Sequence, residues 1–146
     1  MKVREVMQQA LVTIAPDVAV RAAAELMRRR QVNHLLVTDE HDQLIGVLTD
    51  RDLKHSAFLP FLARHLAWDE RRLRAPRVRD VMTWRIVTIE PDADLVRAGL
   101  LMFDRRIGSL PVIDQGRLVG IITERTILEA FRAGTQERDL AELFLG

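Results

Sequence analysis

A chain of 146 residues with 48% apolar and 29% charged side chains has the composition of a folded polypeptide and not of a disordered one. Its formal charge of +1 gives no global electrostatic case for a nucleic-acid or membrane partner, and the absence of cysteine excludes disulfides and thiolate metal sites. Met1-Lys2-Val3-Arg4-Glu5 opens no secretory h-region and no apolar run reaches membrane-spanning length, so a soluble protein of a reducing cytoplasm is the expectation.

In chain order, Val3-Arg4-Glu5-Val6-Met7 reads as a short helical turn and Val12-Thr13-Ile14 as a short β-branched strand. Pro16-Asp17 signals a helix start, since Pro tolerates that boundary and Asp can accept from first-turn amides. Val20, Ala23, Ala24 and Met27 then recur at helical spacing, with Arg28, Arg29 and Arg30 complementing the negative end of the helix dipole. An apolar strand from Leu35 to Val37, a polar turn Asp39-Glu40-His41-Asp42 and a second strand from Leu44 to Leu48 follow. A helix is expected from Arg51 to about Ala57.

Residues 57–77 break the pattern. Phe58, Leu59, Phe61, Leu62, Leu66 and Trp68 are too apolar for a free linker and are expected to cover part of the protein. The basic run from Arg71 to Arg79 lacks interleaved aromatics for base stacking and reads as a solvated connector, with nucleic acid an unlikely partner. The end of the chain, 134–146, reads as an amphipathic helix with Leu140, Leu143 and Phe144 on one face.

The rest of the second half repeats the first. At an offset of 75, Val3-Arg4-Glu5-Val6-Met7 falls on Val78-Arg79-Asp80-Val81-Met82, and Val12 to Asp17 on Val87-Thr88-Ile89-Glu90-Pro91-Asp92. Leu26-Met27 falls on Leu101-Met102, and Leu35 to Asp39 on Leu110-Pro111-Val112-Ile113-Asp114. In the second copy's helix Leu95, Ala98, Leu101 and Met102 hold the apolar face. After a one-residue deletion in the turn, Leu44-Ile45-Gly46 meets Leu118-Val119-Gly120, and a helix from Glu124 to about Ala133 closes the copy. The chain is an internal duplication of β-α-β-β-α units, 1–56 and 78–133. A unit of that size buries only roughly 60% of its unfolded surface, so two units sharing a core, packed through their sheets, is the expected α/β (α+β) architecture.

The copies differ most tellingly at one stretch. Gly46-Val47-Leu48-Thr49-Asp50-Arg51-Asp52 brings a hydroxyl and, three residues on, a carboxylate to a strand-to-helix junction, where they can grip a sugar diol, a phosphate or a metal. Its counterpart, Gly120-Ile121-Ile122-Thr123-Glu124-Arg125-Thr126, has lost the second acid.

The ordered series Val-x-x-Val-Met, Val-Thr-Ile-x-Pro-Asp, Ala-x-x-Leu-Met, Leu-Pro-Val-Ile-Asp and Leu-Val-Gly-Ile-Ile-Thr resembles a tandem pair of CBS domains (cystathionine β-synthase motif), a Bateman module, over residues 1–133. The insertion and the Thr-Asp-Arg-Asp-Leu ending of the first copy are similar to stand-alone bacterial CBS pairs of the acetoin-utilisation AcuB type. The resemblance implies two clefts, adenosine-containing ligands (AMP, ADP, ATP or S-adenosylmethionine), homodimers and regulation of an unidentified partner, with no required cofactor.

In the family pattern the carboxylate takes the ribose hydroxyls and the Ser/Thr hydroxyl faces the phosphate side. An ionised carboxylate suits that role, because charge-assisted bonds to a cis-diol are the stronger kind. Thr49 and Asp52 match the pattern, and Val47 matches the position lining the adenine pocket. The resemblance completes this main cleft with Thr83, Ile86, Val87, Ile107 and Gly108. The second cleft falls on Ile121, Thr123 and Thr126 with Leu11, Val12, Val32, Asn33 and His34. Losing one charge-assisted bond at Thr126 costs roughly 1.5–3 kcal/mol, about 10- to 100-fold in affinity, so this cleft is expected to be degraded or differently selective. His34 reads either as a phosphate-facing group or as a satisfied, partly buried histidine.

No Gly-x-Ser-x-Gly, P-loop or cysteine nucleophile points to an enzyme, and His41, His55 and His65 have no metal-ligand spacing. A ligand-sensing regulatory module is the leading expectation. The alternative is a structural or dimerisation module with vestigial clefts.

Overall fold

The computed structural model describes residues 1–56, 76–84 and 86–134. The expectations for the apolar and basic stretches of 57–75 and for the helix beyond Gly134 lie outside the described residues. No helix among the described residues is long and apolar enough to cross a membrane.

The elements follow the duplicated pattern. In the first copy they are α1 (Val3–Val6), β1 (Thr13–Ile14), α2 (Val20–Arg30), β2 (His34–Thr38), β3 (Leu44–Thr49) and α3 (Asp50–Ser56). In the second they are α4 (Val78–Val81), α5 (Leu95–Arg105), β4 (Ser109–Asp114), β5 (Arg117–Thr123) and α6 (Glu124–Gly134). β1 runs parallel to β2, and β2 antiparallel to β3, in one three-stranded sheet. β4 and β5 pair antiparallel in the other copy. The polar turns close as expected, with Asp42 in the first and Gln115-Gly116 in the second at positive φ.

The second copy's counterpart of β1 is reduced to a single bridge, Ile89 to Val112. In the first copy the Leu36 amide donates to the Val12 carbonyl at 3.1 Å. The residue matching Leu36 is Pro111, which has no N–H, so the ladder cannot extend to Val87. The Pro111 carbonyl still accepts from Ile89 at 3.0 Å.

The expected helix caps move as well. α2 begins at Val20 after Ala19 with no side-chain cap, whereas α5 is capped by Asp94, whose carboxylate accepts from the Val96 amide. Asp17 and Asp92 sit upstream of these starts and take arginine partners instead: Arg79 with Asp17, and Arg4 with Asp92 at 2.7 Å. The end of the basic run within the described residues is therefore charge-paired, since Arg77 also approaches Asp17 at 3.7 Å.

Those ion pairs mark how the copies are built into packing units. The compact units are Met1–Leu11 with Val87–Gly146, and Val12–Ile86. Each copy's short N-terminal helix thus packs with the other copy's sheet and helices. Val3 is fully buried among Ile89, Leu95, Ala98, Met102, Leu110, Val112 and Ile122. Val78 and Met82 are buried among Ile14, Ala23, Met27, Leu35, Val37 and Leu48. Each of these two clusters draws side chains from both copies. Burying such a valine contributes about 1.5–3 kcal/mol, which a copy folded on its own would forgo.

The two matching glycines permit the arms to lie so close. A Cβ on Gly46 would stand 2.6 Å from Met82 Sδ and 3.1 Å from the Thr83 carbonyl oxygen. On Gly120 it would stand 2.7 Å from Met7 Sδ and 3.1 Å from the Gln8 carbonyl oxygen.

Candidate functional site

At the end of β3, Thr49 and Asp52 form a reciprocal cap. The Thr49 amide donates to Asp52 Oδ2 at 2.9 Å, and the Asp52 amide donates to Thr49 Oγ1 at 3.2 Å. The box fixes both side chains where the strand turns into α3. Asp52 Oδ1 accepts no hydrogen bond from the described residues, and both side chains are only half-buried. One carboxylate oxygen caps the junction, and the other has no donor among the described residues.

The same junction in the second copy is more deeply buried. Thr126 donates its amide to Thr123 Oγ1 at 3.1 Å, and the two hydroxyl oxygens lie 2.9 Å apart, sharing a hydrogen bond. Both residues are buried. A neutral hydroxyl stands where the first copy has its carboxylate, and one of the two hydroxyls donates to the other.

Val47 joins the first junction through the backbone. It exchanges both hydrogen bonds with Thr83, at 3.1 Å from the Val47 amide and 2.9 Å from the Thr83 amide. Thr83 therefore continues the sheet beyond the β3 edge, two residues from Thr49. Ile86 belongs to this same unit. Sequence reading missed the equivalent of Thr83: Gln8 exchanges both bonds with Ile121 at 3.0 Å. The 75-residue offset carried the signal, since it maps residue 8 onto residue 83.

The residues divided in the sequence between two clefts group differently within each unit. His34 is the cross-strand partner of Thr49, and the Asp50 amide donates to the Asn33 carbonyl at 2.9 Å. Val32, Asn33 and His34 thus lie at the Thr49–Asp52 end of the first sheet. Likewise Gly108 accepts from the Glu124 amide at 3.1 Å, bringing Ile107 and Gly108 to the Thr123–Thr126 junction. Leu11 lies in that unit and Val12 in the other, while Val87 belongs with Ile107 and Gly108.

Strand alternation gives His34, Leu36, Val47 and Thr49 one face of the first sheet, opposite to the Leu35, Val37 and Leu48 side chains of the core. Burial lowers the His34 pKa, and the nearby Asp50 charge only partly offsets it. The imidazole is thus neutral near pH 7 and able to donate one hydrogen bond and accept another. Among the described residues no group of His, Asp or Glu could hold a metal ion.

Residues 3–58 and 78–133 match the family model described as CBS domain. The chain belongs to the CBS-domain family. It is 34% identical over 128 residues to a CBS domain-containing protein of Dictyostelium discoideum, covering 87% of this chain and 88% of that one. It is 32% identical over 139 residues to an inosine-5′-monophosphate dehydrogenase of Methanocaldococcus jannaschii, covering 94% of this chain and 25% of the dehydrogenase.

Among solved structures, CBSX2 in complex with AMP matches with a TM-score of 0.76 at 28% identity, covering 92% of this chain and 98% of that one. A CBS domain pair bound to 5′-methylthioadenosine and S-adenosyl-L-methionine matches at 0.79 and 22%, covering 92% and 98%. An acetoin-utilisation protein (AcuB) of Vibrio cholerae matches at 0.72 and 24%, covering 93% and 98%. The last two establish the likeness of fold. The tandem CBS pair expected from the motifs is thus the family and the fold of this chain.

Proposed function

We propose that this CBS pair is a regulatory module that binds an adenosine-containing ligand at the Thr49–Asp52 junction and passes the signal to a partner or through a homodimer. The observation that carries the reading is the half-used Asp52 carboxylate: Oδ2 is fixed by the Thr49 amide, while Oδ1 accepts no hydrogen bond among the described residues. Thr49 lies beside it for the phosphate side, and Val47, hydrogen-bonded through its backbone to Thr83, is proposed with Ile86 to line the base pocket. The AMP complex of CBSX2 makes AMP the first ligand to test, ahead of ADP, ATP and S-adenosylmethionine. A cytoplasmic setting, where these nucleotides are abundant, suits the role.

The second junction, at Ile121, Thr123 and Thr126 with Leu11 in the same unit, is proposed to bind weakly or to take a ligand without a ribose diol. A regulatory effect needs differential affinity, since a ligand shifts a conformational equilibrium only by the difference in its binding to the two states.

Isothermal titration of AMP into wild type, Asp52→Ala and Thr126→Asp tests the reading. One dominant site is expected, weakened about 10- to 100-fold by Asp52→Ala. Two equal sites that both survive Asp52→Ala would overturn it. A flat thermal-shift response to all four ligands would favour a structural module, because a ligand of the folded state must raise stability by RT ln(1 + [L]/Kd).

A further inference from the structure

We propose that Met7 is a site of reversible oxidation by peroxide, and that its sulfoxide unpairs Gln8 from Ile121 on β5. Peroxide is thereby registered two residues from Thr123, at the edge of the second junction. The inference goes beyond the ligand reading and needs neither a bound nucleotide nor a dimer.

The chain holds five methionines and no cysteine, so thioethers are its only sulfur. Met27, Met82 and Met102 are buried, and Met1 is exposed by 60%. Met7 combines partial exposure with packing against the cluster that buries Val3. Access of the oxidant to sulfur sets how fast a methionine reacts, so Met7 is the reactive one of those that hold structure.

Its thioether lies so close on Gly120 that a Cβ at that residue would meet Sδ at 2.7 Å and Cγ at 3.0 Å. One residue on, Gln8 and Ile121 exchange both backbone hydrogen bonds at 3.0 Å, and so the arm grips β5. A thioether suits the place because it is soft, apolar and asks for no hydrogen bond. A sulfoxide puts a polar oxygen on the same sulfur, and that oxygen needs a donor. The neighbouring amides are already spent: Met7 donates to Val3, Gln8 to Ile121 and Ile121 to Gln8. The oxygen therefore finds its donors in water, which draws the side chain off Gly120 and loosens the Gln8–Ile121 pair.

The duplication supplies an internal control. Met82 occupies the matching position, its Sδ 2.6 Å from where a Cβ on Gly46 would stand, but it is only 6% exposed. The same contact is thus closed to water in one copy and open in the other. In the reaction an S–O bond forms as the O–O bond of hydrogen peroxide breaks. Sulfur loses two electrons, and the second peroxide oxygen leaves as water with both protons. A methionine sulfoxide reductase reverses the step, releasing the oxygen as water while a dithiol is oxidised to its disulfide.

The test uses the folded full chain. Lys2, Arg21, Arg28 and Arg85 fall between successive methionines, so tryptic digestion places each on its own peptide. After timed exposure to hydrogen peroxide and quenching, mass spectrometry should show Met7 oxidised at least ~10-fold faster than Met27, Met82 and Met102. Amide hydrogen exchange at Gln8 and Ile121 should speed up at least ~10-fold in the oxidised chain and slow again after reductase treatment. Met1 will oxidise too, and Met7→Leu, which retains it and nearly conserves volume, should keep slow exchange in peroxide. Met7 reacting no faster than Met82 would overturn the proposal. So would a Met7 sulfoxide that leaves exchange at Gln8 and Ile121 unchanged, or exchange that accelerates equally in Met7→Leu. The two wild-type measurements decide the matter even where Met7→Leu folds poorly.

Discussion

Asp52 joins two tasks that ordinarily fall to different residues. As a capping partner it accepts from the Thr49 amide, and as the proposed ribose acceptor it offers its second oxygen. Asp52→Ala should therefore weaken ligand and also cost about 0.5–1.5 kcal/mol of stability, read from urea unfolding without ligand. Asp52→Asn, which keeps a carbonyl oxygen for the cap, should recover most of the stability and little of the affinity. His34 provides the pH handle. Its pKa is lowered in the folded protein, so between that value and the ordinary one of about 6.5 the unfolded chain binds more protons. Stability should be lost as pH falls from about 7 through this window. His34→Asn should remove that part of the slope in denaturation midpoints measured from pH 7.5 to 5; a slope unchanged by the substitution would show that the imidazole does not contribute.

At the scale of elements, two single-residue differences reshape matched segments. Pro111 lacks the amide that Leu36 gives to Val12, and the strand expected at Val87-Thr88-Ile89 shrinks to one bridge. The periodicity of Val87 to Ile89 carries no trace of this, because the missing donor lies on the partner strand. The glycines work in the opposite direction, since they could be matched by sequence yet explained only by contact. Gly46→Ala would press a methyl into Met82 Sδ and the Thr83 carbonyl, and should cost about 1–3 kcal/mol in chemical denaturation. Truncating the flexible neighbour in Gly46→Ala/Met82→Ala should not restore full stability, because Met82 itself fills the core.

At the scale of the whole molecule, the units that pack are not the units that repeat. A fragment of residues 12–86 keeps Val78 and Met82 with the core they fill, whereas residues 1–56 lack both. The first fragment should unfold cooperatively on heating and the second should show no such transition. Equal behaviour of the two would mean that the exchanged arm contributes little.

The sequence by itself determined the duplication, the order of elements, the family and the loss of the acid at Thr126, because side-chain periodicity and matched motifs are local properties. Only the tertiary structure decided which copy each arm packs with, since Val3 and Val78 are interchangeable by pattern and differ only in the cluster that buries them. It also moved Asp17 and Asp92 from caps to ion pairs, and set His34 beside Thr49. These are contacts between residues far apart in the chain, and no spacing along the chain encodes them.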